Sequence, residues 1–201
     1  VASKRKEELR LDHKVIGGMV EAGSMVLDMG CGDGDLLEYL VLQKDAKGSG
    51  VEISEEAIYK CVEKGLSVSH GDIDSGLTEY PDNLFDYVIF NQTMQQVHRP
   101  KEAIKEALRI GKKVIIGFPN FCYWTARMQI FFTGHVPITP SLPYSWYDTP
   151  NLHFLSITDF KDFCRELDVV VEKSVFLSGR GIVGFMPNLF ALNAIFQISK
   201  K

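Results

Sequence analysis

Ten residues constrain this chain more than any others: Val26-Leu27-Asp28-Met29-Gly30-Cys31-Gly32-Asp33-Gly34-Asp35. An apolar run that ends on an acid and breaks into three alternate glycines reads as a buried strand entering a tight turn. Glycine takes such a turn without a Cβ penalty and lets backbone approach a ligand. Leu36-Leu37-Glu38-Tyr39-Leu40 then starts a helix. In an open α/β sheet, ligands bind at this kind of place, beyond the carboxyl end of a strand. The spacing separates two ligand classes. A dinucleotide fingerprint reads G-x-G-x-x-G and seats pyrophosphate on the helix N-terminus. Here the third glycine comes one residue early, and Asp28, Asp33 and Asp35 crowd the turn. Carboxylates are poor hosts for a pyrophosphate and good ones for an ammonium or sulfonium.

With 201 residues, the chain has room for one α/β domain with a sizeable core, not for two. A net charge of −4, with Lys4-Arg5-Lys6 as the one basic cluster, argues against a nucleic-acid partner. Cys31, Cys61, Cys122 and Cys164 form no C-x-x-C pair, and the five histidines form no H-x-x-x-H. Metal-ligand spacing and a disulfide framework are therefore not expected, and a reducing cytoplasm is. No run is long and apolar enough for a membrane span, and none reads as a signal peptide. The chain opens on Val1, so a few residues of the native N-terminus are expected to precede it.

Periodicity predicts a leading helix over 7–22, a first strand at Met25 to Met29 and a helix from Leu36 to Gln43. Gly48-Ser49-Gly50-Val51-Glu52-Ile53 reads as a turn into a short buried strand. Ser54-Glu55-Glu56-Ala57 has the cap and acidic first turn of a helix that Gly65 ends. Leu66 to His70 is a third strand and Phe85 to Phe90 a fourth. Pro100 opens a helix through Leu108, and Val114 to Gly117 is a fifth strand. This alternation predicts an α/β, doubly wound, Rossmann-like sheet, mostly parallel. From Phe118 to Ser156 the rhythm lapses in a segment with five of the eight prolines and both tryptophans. It is too apolar for a linker and is expected to be a packed insertion or lid within a single domain over 1–201. Thr158 to Cys164 resumes as a helix. Val169 to Leu177 and Leu192 to Ile198 are expected to form an antiparallel hairpin, joined by a loop bearing Gly179, Gly181, Gly184 and Pro187.

The pattern D-x-G-x-G-x-G resembles motif I of the class I methyltransferases, which bind S-adenosylmethionine. The residues suit that cofactor or its product S-adenosylhomocysteine. Gly30 and Gly32, with Cys31 between them, let the backbone approach the methionine part, and Asp28 and Asp33 could take its ammonium. Glu52, 24 residues after Asp28 at the tip of the second strand, could accept both ribose hydroxyls. Asp72 could accept from the adenine amino group, with Ile53 and Ile73 flanking the ring. Cys31 reads as a small buried residue rather than a nucleophile.

Asn91-Gln92-Thr93-Met94-Gln95-Gln96-Val97-His98 follows the fourth strand, where a methyl acceptor would meet the sulfonium. Its amides could hold the cofactor's carboxylate or the acceptor, or Thr93-Met94 could simply begin a helix. The N/D-P-P-Y motif used on exocyclic amines is absent. His98, ahead of Arg99-Pro100, reads as a helix-boundary residue before a general base.

From near residue 10 to its end, the chain resembles the methionine-biosynthesis protein W (MetW) family. The resemblance is carried by Arg10-Leu11-Asp12, the glycine segment, Gln92-Thr93-Met94-Gln95 and Gly117-Phe118-Pro119-Asn120-Phe121 with Trp124. It continues in Trp146-Tyr147-Asp148-Thr149-Pro150-Asn151 and Phe154-Leu155-Ser156-Ile157-Thr158-Asp159-Phe160. It implies the class I methyltransferase fold, a place in methionine biosynthesis and a homoserine O-acyltransferase (MetX) as partner. Asn91 departs from the family pattern, which carries a smaller residue such as Ser. No catalytic base comes with the motifs. Two functions remain open: a methyltransferase acting on a small molecule, and a cofactor-binding subunit of the acyltransferase. A nicotinamide oxidoreductase is disfavoured by the glycine spacing.

Overall fold

The computed structural model describes residues 10–75 and 77–201. The first helix, α1 (Leu11–Met19), is shorter than the expected 7–22, and residues 7–9 lie outside the described part. The rest of the amino-terminal half follows as β1 (Met25–Met29), α2 (Asp35–Lys44), β2 (Lys47–Glu52), α3 (Glu55–Glu63), β3 (Ser67–His70) and β4 (Phe85–Asn91). Then come α4 (Pro100–Ile110), β5 (Gly111–Pro119), α5 (Trp124–Thr133) and α6 (Ile157–Glu166). The chain closes with β6 (Val169–Ser178), β7 (Gly181–Ile182), α7 (Pro187–Phe190) and β8 (Asn193–Lys200).

The eight strands form one sheet in the order β3-β2-β1-β4-β5-β8-β6-β7. The first five are parallel, and β8 runs antiparallel to both β5 and β6. The expected C-terminal hairpin forms, with β7 and the short α7 inserted between its arms. Strand order reverses between β1 and β4, which opens a crevice beyond their carboxyl ends.

Strand alternation explains why the sheet is covered on both faces. Val26 packs with Ile16, Met19, Leu36 and Leu40 of α1 and α2. Leu27 and Met29 belong to the opposite core, with Ile104 and Ala107 of α4 and Phe160 of α6. In that core the parallel rings of Phe118 and Phe196 lie 5.9 Å apart, with Phe160 against both. By the same alternation Asp28 falls on the α1/α2 face. Ser156 opens α6 with a capping box, its hydroxyl accepting from the Asp159 amide.

Two expectations need correction. Gly48-Ser49-Gly50 is not a turn but part of β2, paired with Val26, Leu27 and Asp28 of β1. The glycines are there for close packing: a Cβ on Gly50 would sit 2.6 Å from Cys31 Sγ, and one on Gly48 2.5 Å from Leu37. The segment 118–156 is not irregular throughout, because α5 occupies Trp124–Thr133. Among the described residues no helix is long and apolar enough to cross a membrane.

Gly50→Ala is expected to destabilise the fold by about 1–3 kcal/mol through overpacking. Cys31→Ala in the same chain should recover part of that loss. A double-mutant cycle by urea denaturation checks the coupling, and strict additivity would refute the packing argument.

Candidate functional site

The glycine turn has the geometry its composition demands. Gly30, Gly32 and Gly34 have φ of 73°, 54° and 79°, the left-handed region that penalises other residues. The turn is tied to β2 by two amides, Gly30 N and Cys31 N, which donate to Val51 O at 2.8 and 3.2 Å. Glu52 completes the join. Its Oε2 accepts from Gly32 N at 2.8 Å, and its Oε1 accepts from Ile53 N and Ser54 N at 2.8 and 2.9 Å. A carboxylate is well placed there, at the amino end of α3, whose cap is Ser54. Oε1 is filled by its two amides, and Oε2 keeps one further acceptor site for a ligand.

Two adjoining cavities lie at the crevice. The larger, about 420 Å³, is walled by Glu52, Ile53, Asp72, Ile73 and the segment 91–93 with 96–98. That volume lies within the usual range of small-molecule sites. The smaller, about 260 Å³, is walled by Arg10, His13, Asp28, Cys31, Asp33 and Asp35. Gly30, Gly32 and Asn91 line both. All ten residues singled out in the sequence therefore border one cavity or the other.

Their environments differ. Asp28 is buried, and burial followed by the nearby Glu52 carboxylate pushes it up to about 7. No hydrogen bond from a described residue offsets that cost. Asp33 is engaged from outside: Lys60 Nζ lies 3.3 Å from its carboxylate, and Lys64 Nζ donates to its carbonyl at 2.8 Å. Lys64 also pairs with Asp35 and holds that carboxyl low. Two lysines of the α3 region thus temper the acidity of the turn. Cys31 is buried, and burial, then Asp28, push its thiol up, so it stays protonated. Asp72 Oδ1 accepts from Asp74 N at 2.9 Å, and Ile53 is exposed at the rim.

Sequence reasoning missed Arg10, Asp12 and His13 as part of this place. Asp12 accepts from Arg10 Nη2 at 2.6 Å and from Asn91 Nδ2 at 3.0 Å, which joins α1 to the end of β4. Burial works against the Asp12 charge, but the Asn91 amide and the Arg10 guanidinium outweigh it and hold the carboxyl low. Burial also lowers His13 and outweighs the opposing pull of Asp12. Asn91 Oδ1 is buried with no partner among the described residues. The available signal was the acid at Asp12 on an otherwise apolar helix face.

Thr93 and the residues after it form a short 3-10 turn, Met94–Gln96, rather than a full helix. Gln92 adopts a left-handed φ of 61°, held by its amide on Gly117 O at 2.8 Å. The far side of this turn is tied to the 118–156 segment. Leu152 N and His153 N both donate to Gln95 O, at 2.9 and 3.0 Å, and the His153 ring meets Val97 O at 3.0 Å. His98 does sit at a helix boundary, two residues before Pro100. Its amide and ring both lie on the Asp74 carboxylate, at 3.0 and 3.1 Å, and it borders the larger cavity.

The chain matches the family described as methionine biosynthesis protein MetW over residues 10–198. It is 36% identical over 177 residues to a bifunctional methionine biosynthesis protein MetXA/MetW of Rhodopirellula baltica. That match covers 84% of this chain but 28% of the relative, so the chain spans little more than a quarter of that protein's length. Among solved structures, a SAM-dependent methyltransferase of Thermotoga maritima, a possible histamine N-methyltransferase, is similar with a TM-score of 0.67. It is 20% identical, with 95% of this chain and 88% of that one covered. A SAM-dependent methyltransferase of Archaeoglobus fulgidus is 18% identical, with 94% of each chain covered and a TM-score of 0.64. The fold is that of the class I SAM methyltransferases.

Asp28 makes stability depend on pH in a defined direction. Between the ordinary carboxylate range and about 7, the folded protein keeps a proton on Asp28 that the unfolded chain has released. Stability due to this group therefore falls as pH rises through that window. Relative to Asp28→Asn, the native chain should lose about a kcal/mol per pH unit there and level off above it. Urea denaturation of both proteins across pH 4.5–8.5 checks this, and parallel profiles would contradict it.

Proposed function

The chain belongs to the methionine biosynthesis protein MetW family, and from that premise we propose that it binds S-adenosylmethionine or S-adenosylhomocysteine and acts beside a homoserine O-acyltransferase. The observation that carries the ligand reading is Asp28: a buried carboxyl at the wall of a cavity, with no hydrogen bond from a described residue, is complementary to an ammonium. Asn91 Oδ1, buried with no partner among the described residues, is a second acceptor nearby. Arg10 supplies a guanidinium to the same cavity, suited to a ligand's α-carboxylate. The remaining acceptor site on Glu52 Oε2 suits a ribose hydroxyl. Asp72, Ile53 and Ile73 line the larger cavity, a carboxylate with two apolar side chains that suits an adenine.

When bound, S-adenosylmethionine would supply an electrophilic methyl group on its sulfonium. This chain's residues would bind and orient it and exclude water from its methionine end. The partner reading rests on the Rhodopirellula baltica relative, which by its name joins MetXA and MetW functions in one protein. The backbone link from Gln95 to Leu152 and His153 offers a physical route by which ligand and partner could influence each other.

A second reading, a catalytically active methyltransferase on a small molecule outside that pathway, is favoured by one observation. His98 borders the larger cavity with its ring on the Asp74 carboxylate, an arrangement that could take a proton from an acceptor.

Calorimetric titration of S-adenosylmethionine and S-adenosylhomocysteine, with and without the acyltransferase, tests the proposal. Binding is expected to weaken about ten- to a hundredfold in Glu52→Ala, the loss of one charge-assisted hydrogen bond. Affinity should rise as pH approaches 7, because ionised Asp28 is the form that pairs with an ammonium. A shift in ligand affinity on adding the acyltransferase supports the subunit reading, since coupling is reciprocal. Release of S-adenosylhomocysteine with a small-molecule acceptor, indifferent to the partner, favours the second. Absence of binding to either nucleoside refutes both.

A further inference from the structure

The 118–156 segment carries two formal charges, Arg127 and Asp148, in a chain that is 24% charged. Arg127 is spent internally: Nε donates to Cys122 O at 2.7 Å and Nη2 to Asn188 O at 3.4 Å. Phe118 is in the core, but several aromatic side chains beyond it do not turn inward. Phe131 and Phe132 at the end of α5, Trp146 and Tyr147 in the following loop, and Phe185 beside α7 are each at least 70% exposed.

These residues belong to one structural unit. Gln129 on α5 clamps the loop by donating to Ile138 O and accepting from Ile138 N, each at 2.9 Å. Val136, Tyr144, Trp146 and Phe154 line a common cleft. Arg127 joins α5 to Asn188 of α7, three residues beyond Phe185 in the chain. Exposed aromatic side chains held on tied elements in this way mark interaction sites more often than plain solvent-facing surface. Aromatic enrichment with charge depletion is the signature of an interface core, and exposed aromatics are the residues that anchor one.

Building on the reading above, we propose that this aromatic face, formed by α5, the loop over 135–154 and Phe185, is the surface on which the homoserine O-acyltransferase docks. Three observations choose this occupant. The Rhodopirellula baltica relative unites the MetXA and MetW functions in one protein, where docking needs only a persistent complementary face. The near absence of cations argues against a membrane surface, because interfacial segments carry Lys and Arg for anionic headgroups. The loop is anchored at its inner end on Gln95, so a partner seated here lies one backbone link from the larger cavity.

The test measures binding of the full chain to purified homoserine O-acyltransferase from the same organism by sedimentation velocity and biolayer interferometry. Phe131→Ser/Phe132→Ser and, separately, Trp146→Ser are compared with Leu42→Ser, an exposed apolar residue on α2. Thermal melts and S-adenosylmethionine titrations establish that each variant is folded. The two face variants should each bind the acyltransferase about thirtyfold more weakly or worse, with Leu42→Ser unchanged and ligand affinity retained in all. Face variants that bind the acyltransferase as tightly as the native chain overturn the assignment of the surface and leave the partner reading standing. A native chain that binds ligand but not the acyltransferase overturns both the surface and the partner. A homodimer that the face variants dissolve gives the face to a second copy and overturns the proposal.

Discussion

The Glu52 carboxylate holds the cleft end of this molecule together. It joins the glycine turn after β1 to the end of β2 and the start of α3 by accepting three backbone amides at 2.8–2.9 Å. Those amides belong to a turn and to a helix entry, where no ladder partner exists for them. Without this acceptor, Gly32 would lose the bond that sets its left-handed backbone, and both cavities are bordered by that residue. One side chain thus satisfies the local backbone and keeps one acceptor site, on Oε2, at the cavity wall.

The electrostatics of the site follow from what lies behind it. Asp28 is driven toward neutrality by burial and by Glu52, whereas Asp12 keeps its charge because Asn91 and Arg10 face it. A buried acid that pays its desolvation cost with no partner is poised for a cation, and an acid already paired is a positioning group. The same distinction separates Asp28 from Asp33, which the sequence presents as equivalent neighbours of the glycines. Lys60 engages one, and nothing described engages the other.

Much of the fold was legible because it rests on local rules. β1 was read to the residue, the Ser54 cap opens a helix where serine and acidic neighbours require it, and Pro100 stands at the first turn of α4. The parallel alternation and the antiparallel C-terminal pair followed from hydrophobic period and spacing. Gly48 and Gly50 misled, because glycine signals a turn locally yet here makes room for Leu37 and Cys31. α5 was hidden because its apolar residues are not confined to one buried face: Ala126 is buried while Phe131 and Phe132 are exposed. Periodicity reports burial within a chain, and a face without an internal partner lies outside its reach.

The sequence by itself determined where the crevice lies and what borders it: alternate glycines after one strand, an acid at the end of the next and Asp72 after the third, in an order that parallel β-strands bring together. Those are consequences of backbone sterics and strand direction, which act between near neighbours and along a regular repeat. Only the tertiary structure decided that Arg10, Asp12 and His13 join the site, that Lys60 and Lys64 neutralise part of its acidity, and that Gln95 anchors the aromatic loop. Each of these depends on side chains or carbonyls separated by tens of residues, whose meeting is set by how helices pack on a twisted sheet. Desolvation, which makes Asp28 unlike Asp33, is a property of that packing and is written in no single residue.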